Sequence, residues 1–278
     1  MSIPQLRVLT YLCPTVPVEL FQGILEVLEE QTNYQTTLQY EWRTDGCTEN
    51  RLDPFENNLS DLAFMPAAGY MALVEKRNAC IELLPVTPIF KHPKNEHNAA
   101  GNFVDVIVHA DKLKHSVKQI LDLRGCRWSC VRENTLANCV MLDALHKLGE
   151  NITFFGSAHR VVSHSAAVNM VLTKQVDVAT VDANALTANK RFLHNGAKDV
   201  VVLTSFGPFA PYAIVINTRI NGDLKNKIIA ALKKINGKQA LFDKFGLIGF
   251  VPNHADFYDK EKQFMKTLKS EMSSVPYY

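Results

Sequence analysis

Ser163, His164 and Ser165 stand side by side ahead of small and apolar residues, and Asp182 closes the β-rich run that follows. The stretch VSHSAAVNMVLTKQVDVATVDANAL, Val162 to Leu186, reads as a loop, a helix and a buried strand in succession. Ser163 is a plausible N-cap, Ala166, Ala167, Met170 and Val171 recur at helical spacing, and Val176 to Val181 is β-rich. A helix opening on Ser-His-Ser presents backbone N–H groups, hydroxyls and an imidazole at its positive end, a set suited to an anion or a polar small molecule. The carboxyl ends of strands are where open α/β sheets bind ligands, which places Asp182 at such an edge. Its carboxylate can accept from an ammonium or hydroxyl on a ligand, or cap the helix expected at Ala183 to Asn189. His164 can serve as a ligand donor or as a structural hydrogen-bonding group.

Two further clusters have the same character. Thr10, Tyr11 and Cys13 follow an apolar β-rich run and precede a helix starting near Val18, so their polar atoms face a cleft or shape a βα turn. At Pro66-Ala67-Ala68 the proline fixes a first helical turn, and the small residues let a ligand approach the exposed N–H groups or make a tight junction.

The elements that must carry these residues alternate along the chain. β-rich runs at Leu6 to Tyr11, Thr37 to Trp42, Leu59 to Met65 and Ile81 to Val86 interleave with helical patterns at Val18 to Gln31 and Ala67 to Lys76. That alternation implies βαβ units and a mostly parallel sheet. A second set has strands at Val104 to His109, Arg127 to Val131, Ile152 to Phe155, Val176 to Val181 and Val200 to Thr204. Its helices lie near Ser116 to Leu121, Leu136 to Leu148 and Ser165 to Thr173. The polar linker KHPKNEHNAAGN, Lys91 to Asn102, separates the sets, and the chain returns to the first at FGPFAPYAIVIN. The expectation is an α/β protein of two lobes, a discontinuous first lobe of 1–103 and 205–278 and a second of 104–204. Two crossings would make it a clamshell that closes on its ligand.

Four ordered motifs sharpen this. The window around Ser163 to Asp182, LRVLTYLCPTVPVELFQGILEVLEEQT near the N-terminus, DLAFMPAAGYMAL after it, and FGLIGFVPNHADFYD near the C-terminus resemble the phosphate/phosphite/phosphonate-binding family of ABC-transporter substrate-binding proteins. LRGCRWSCVRENTLAN corresponds to a further segment of that family, so the match spans nearly the whole chain. The resemblance implies a type II periplasmic-binding-protein fold with a ligand between the lobes, and places His164 in that cleft. It also puts Asn134 and Thr135 at an oxyanion-binding helix start, where Arg132 can add a charge-assisted bond or act as an ordinary surface cation. Ala137 and Asn138 depart from the family's serine and glycine there. Phe103 and Gly46 stand where some phosphonate binders carry tyrosines.

Composition narrows the partners. With 278 residues, 47% hydrophobic, and a formal charge of +2, the chain can bury a large core and shows no electrostatic footprint for nucleic acid. The Lys-rich segment Lys225 to Lys238 reads as an amphipathic helix, with Leu224, Ile228, Ile229, Leu232 and Ile235 on its apolar side. The cysteines lack zinc-site spacing, and no cofactor or metal is expected. No run approaches the roughly 18 apolar residues of a membrane helix, so a soluble protein without membrane insertion is expected. The start MSIPQLRVLTYLC has no secretory pattern, which points to the cytoplasm, or to a periplasmic or lipid-anchored protein if a leader has been removed. An ABC permease is a partner only in the exported case. The expected function is binding of a small anion such as a phosphonate, phosphate ester or carboxylate, as a carrier, sensor or transport-type protein. The competing reading is an enzyme on the same fold, with lyase or pyrimidine-synthesis-like chemistry drawing on His164, Asp182 and Cys13.

Overall fold

The computed structural model describes residues 4–13, 15–41, 52–114, 117–131 and 135–273. Arg132 and Asn134, together with Trp42, Gly46, Cys47 and Ser116, lie outside the described residues. The chain divides into two compact units, one of 1–102 and 208–262 and the other of 103–207 and 263–278. Gln263 to Ser273, expected with the first lobe, falls in the second unit.

The first unit begins with β1 (Gln5–Thr10), α1 (Val18–Thr32), β2 (Gln35–Tyr40), β3 (Leu62–Met65), α2 (Ala67–Glu75), β4 (Ile81–Leu83) and β5 (Val86–Phe90). The second contains β6 (Asn102–His109), α3 (Ala110–Lys114), β7 (Arg127–Val131), α4 (Leu136–Lys147), β8 (Ser157–Val161), α5 (His164–Leu172), β9 (Val178–Asp182), α6 (Ala183–Phe192) and β10 (Val200–Phe209). The chain then returns through β11 (Ala213–Asn217), α7 (Gly222–Lys234), α8 (Gln239–Phe242), β12 (Leu247–Pro252) and α9 (Asp256–Ser273).

In the first unit the sheet order is β2-β1-β3-β11-β4. β1 pairs in parallel with β2 and β3, and β11 runs antiparallel to β3 and β4. Period-two alternation sorts β1 between two faces: Leu6 and Val8 pack with α1 and α7, whereas Leu9 packs with Phe55, Met65 and Tyr258. α1 covers the first face because Leu20, Phe21, Ile24, Leu25 and Leu28 recur at three- and four-residue steps; the helix ends at Asn33, which adopts the left-handed conformation with φ of 59°. α7 buries Leu224, Ile228, Ala231 and Leu232, which leaves its lysines outward as its pattern requires.

In the second unit the order is β10-β6-β9-β7-β8, with β7 parallel to β8 and β9, and β6 antiparallel to β9. Trp128 is fully buried at the centre, stacked on Phe155 with 5.0 Å between ring centroids, and its indole N–H donates to Thr180 Oγ1 at 2.7 Å.

Three local expectations are corrected. Ile152 to Phe155 is not a strand: Asn151 accepts from the Thr153 N–H at 2.8 Å and closes a 3₁₀ turn over Ile152–Phe154, so Phe154 and Phe155 turn into the core. The strand is the next segment, β8, which lies at a sheet edge and lacks an apolar run. The helix expected near Ser116 to Leu121 is instead a 3₁₀ turn at Ile120–Leu123, closed by Gln119 and Asp122 in a reciprocal cap. Ile81 to Val86 divides into β4 and β5 because the two halves pair with different partners, β11 and β12.

The parallel pair β1 and β3 is locked near its start by Asp61. Its carboxylate accepts from the Arg7 backbone N–H at 2.7 Å and from Arg7 Nε at 3.1 Å, and it also pairs with the Arg219 guanidinium. Burial pushes this carboxyl up, but the hydrogen bonds from Arg7 and Arg219 outweigh it and hold its pKa below the ordinary range. A carboxylate shifted down stabilises the fold above the ordinary carboxylate pKa, and that contribution is lost as pH falls through the lowered one. Asp61→Asn is therefore expected to cost about 2 kcal/mol at pH 7, read by urea unfolding, with the gap to wild type closing under acid. An unchanged midpoint at pH 7 would show that Asp61 does not hold the strands together.

Candidate functional site

Parallel strands deliver the chain to one edge. In the second unit β7, β8 and β9 end together, and each is followed by a helix with a side-chain cap. Thr135 caps α4, its Oγ1 accepting from the Asn138 N–H at 3.4 Å while its hydroxyl donates to the Val131 carbonyl. Ser163 caps α5, accepting from the Ala166 N–H at 3.1 Å. Asp182 caps α6, its Oδ1 accepting from the Asn184 N–H at 2.8 Å and the Ala185 N–H at 3.2 Å. The capping role open to Asp182 in the sequence is thus the one its Oδ1 performs. Leu136 and Ala137 in α4, and His164 and Ser165 in α5, hold first-turn N–H groups with no intrahelical acceptor. The order β8-β7-β9 also makes this edge a topological switch point, with β7 leading out to one side and β9 to the other.

His164 ties two of these helix starts together. Its Nδ1 accepts from the Asp182 backbone N–H at 3.3 Å. An accepting Nδ1 carries no proton, so the neutral ring carries it on Nε2, which becomes a fixed donor. Burial pushes the pKa of the ring down to about 4, which keeps it neutral at physiological pH. Spacing alone missed this bond: His164 and Asp182 are far apart in sequence and meet only because β9 ends beside the start of α5. Phe103, the first residue of the second unit, is buried.

In the first unit the corresponding switch point lies between β1 and β3 in the order β2-β1-β3. The end of β1 is drawn into local bonds: Thr10 Oγ1 accepts from the Leu12 N–H at 3.1 Å, and the Tyr11 N–H donates to the Phe64 carbonyl at 2.8 Å. Tyr11 and Cys13 are buried, and burial followed by the charge of Glu19 pushes the Cys13 thiol up to about 12. A thiol held that far from ionisation is unsuited to act as a nucleophile. Pro66 occupies the N-cap of α2 and not its first turn, and it offers no side-chain cap. Ala67 is buried and Ala68 is exposed at the helix start. The two units therefore differ, with side-chain caps at the second edge and proline-led, uncapped helices at the first.

Comparison with known proteins agrees with this layout. The family described as ABC transporter, phosphonate, periplasmic substrate-binding protein matches residues 7–258. No curated protein sequence matches the chain. Among solved structures, the chain is similar to a binding protein component of an ABC phosphonate transporter from Pseudomonas aeruginosa, at 14% identity and a TM-score of 0.72, over 96% of this chain and 87% of that one. It is similar to PhnD1 from Prochlorococcus marinus in complex with methylphosphonate, at 14% identity and a TM-score of 0.69, over 95% of this chain and 98% of that one. The periplasmic aliphatic sulphonate binding protein of Escherichia coli matches at 13% identity and a TM-score of 0.63, over 98% and 88% of the two chains. These likenesses show the fold, that of the two-lobed type II periplasmic binding proteins.

The Nδ1 bond alters what is expected of His164. Replacement by Ala leaves the Asp182 N–H without its acceptor, so the ligand-free protein is expected to lose about 1 kcal/mol at pH 7. A histidine whose pKa is lowered on folding stabilises above the unfolded pKa, and that contribution is lost as pH falls toward 4. Thermal melts of wild type and His164→Ala should accordingly differ at pH 7 and converge on acidification. Long-range ¹H–¹⁵N spectra should show the Nε2–H tautomer at pH 6, and a protonated Nδ1 there would dismiss the assignment.

Proposed function

The chain belongs to the phosphonate family of ABC-transporter periplasmic substrate-binding proteins, and on that premise we propose that it binds a compact oxyanion at the carboxyl edge of its second unit. The observation carrying this reading is the convergence of three capped helix starts, at Thr135, Ser163 and Asp182, with the Nε2–H of His164 fixed beside them. First-turn N–H groups and the positive ends of helix dipoles favour negative charge without a cationic side chain. The Ser163 and Ser165 hydroxyls add donors at the same edge. The Thr135 hydroxyl gives its proton to Val131, so Thr135 contributes by ordering α4, not by donating. A phosphonate, phosphate ester or carboxylate matches this donor-rich set. In the first unit, Thr10, Tyr11, Cys13, Pro66, Ala67 and Ala68 shape the equivalent edge, where the first-turn N–H groups of α2 offer donors of the same kind.

Members of this family are typically periplasmic and supply ABC permeases, and we assign the same setting and partner class to this chain. No described helix is long and apolar enough to cross a membrane. The nucleophilic role for Cys13 in the enzymatic reading is disfavoured by its raised pKa.

Isothermal calorimetry with methylphosphonate, phosphite, phosphate, methanesulfonate and acetate, against glucose and uridine as neutral controls, tests the assignment. At least one anion should bind, and His164→Ala should weaken it by about 1 to 3 kcal/mol, the range for a hydrogen bond to a charged group. Binding of the neutral controls alone would reverse the assignment. Unchanged affinity in the variant would remove His164 from the site.

A further inference from the structure

The points at which the chain passes between its units gather around one residue. The passages fall after Asn102, after Gly207 and after Lys262. Ala210, just beyond the second, has both of its peptide groups held by side chains: its N–H donates to Glu261 Oε2 at 2.9 Å, and its carbonyl accepts from Asn102 Nδ2 at 3.2 Å. Asn102 belongs to the first passage and Glu261 to the third. Gly101 closes the cluster. It has φ of +154°, and a Cβ there would lie 2.5 Å from Pro208 Cβ and 3.1 Å from the Phe209 carbonyl oxygen, so only glycine lets the first two passages touch. Asn102, Ala210 and Glu261 are all buried.

Glu261 is an unusual choice for such a place. No ion pair reaches it among the described residues, and the adjacent Lys262 is engaged with Glu75 at 3.1 Å. Among the described residues, no positive charge shifts its carboxyl. Tyr258, one turn earlier on α9, accepts from Asn253 Nδ2 at 2.9 Å; Tyr70 of α2 meets Tyr258 edge-on at 4.7 Å; Asp259 on α9 acts on Tyr70. The connection between β10 and β11 contributes only backbone groups and Tyr212, whose carbonyl is bound by Thr87 at 2.8 Å.

We propose that Glu261 is a proton-operated latch on the passages between the units: protonated, it holds Ala210 in the observed arrangement, and ionised, it favours a looser, more hydrated one. A buried carboxylate without a cation gains free energy from access to water, whereas the neutral acid does not. Burial pushes the Glu261 carboxyl up to about 7, partly offset by the bond from the Ala210 N–H, so the change falls within the physiological range. The sign follows from linkage: the folded form holds its proton more tightly than the unfolded chain, so stability declines as pH rises from the ordinary carboxylate pKa through 7.

Following the ¹H–¹⁵N amide resonance of Ala210 in the full chain without ligand, between pH 5.5 and 8.5, tests the latch independently of the ligand assignment. The wild-type resonance should shift with a midpoint near pH 7, and in Glu261→Gln it should stay in place throughout. Thermal melts of the same samples should show wild type losing stability relative to Glu261→Gln as pH rises. Glu261→Met, which removes both the charge and the acceptor of the Ala210 N–H, provides a second variant should the amide disturb folding, and no transition near pH 7 should remain in it. A wild-type profile that is constant across this range overturns the proposal. So does a transition that persists unchanged in either folded variant, since it would then belong to the histidines.

Discussion

Parallel strand pairing is the constraint on which the rest of this protein depends. A strand joined in parallel to its neighbour must leave the sheet at the same edge, so the ends of β7, β8 and β9 are forced together and the helices that follow must all begin there. Each start concentrates unpaired N–H groups and the positive end of a helix dipole. The same rule places the ends of β1 and β3 together in the first unit. The antiparallel strands β6 and β11 extend these sheets without competing for that edge.

Capping and ligand binding draw on the same groups, and the second unit divides them. Thr135, Ser163 and Asp182 spend side-chain oxygens on their own helices, which lowers the cost of holding those helices in place before any ligand arrives. In the proposed site, what remains for an anion is the N–H groups of the first residues, the serine hydroxyls and one imidazole N–H. The bond between His164 and the Asp182 backbone orients that imidazole, and burial keeps it neutral. A neutral donor contributes direction without a buried charge that would stand uncompensated in the absence of a ligand.

The cluster around Ala210 shows the converse arrangement. Asn102 and Glu261 turn the two peptide groups of one residue into a junction for segments distant in sequence, and the carboxyl sits where water is scarce. Buried acids without cations are otherwise avoided in protein interiors. Here burial brings the titration of the acid to neutral pH while its hydrogen bond stays within the first unit.

Short-range signals in the sequence determined a large part of this protein. The apolar spacing of α1 and α7, the cap at Ser163, the strand ending in Asp182 and the order of the family motifs were legible because each depends on residues within a turn or two of one another. The cap role of Asp182 was legible as one of two options. The division of Ile81 to Val86 into two strands was not, because strand boundaries depend on which partner offers hydrogen bonds, and those partners, β11 and β12, lie far along the chain. Ile152 to Phe155 has strand-like composition, but the pull of Trp128 and the core on its phenylalanines overrides local propensity. The bond from Asp182 to His164 and the grip of Glu261 on Ala210 were invisible for the same reason. Local sequence sets which helices and strands can form and where they are capped; only the packed structure decides which distant groups become neighbours, and burial among those neighbours sets whether an ionisable group keeps its charge.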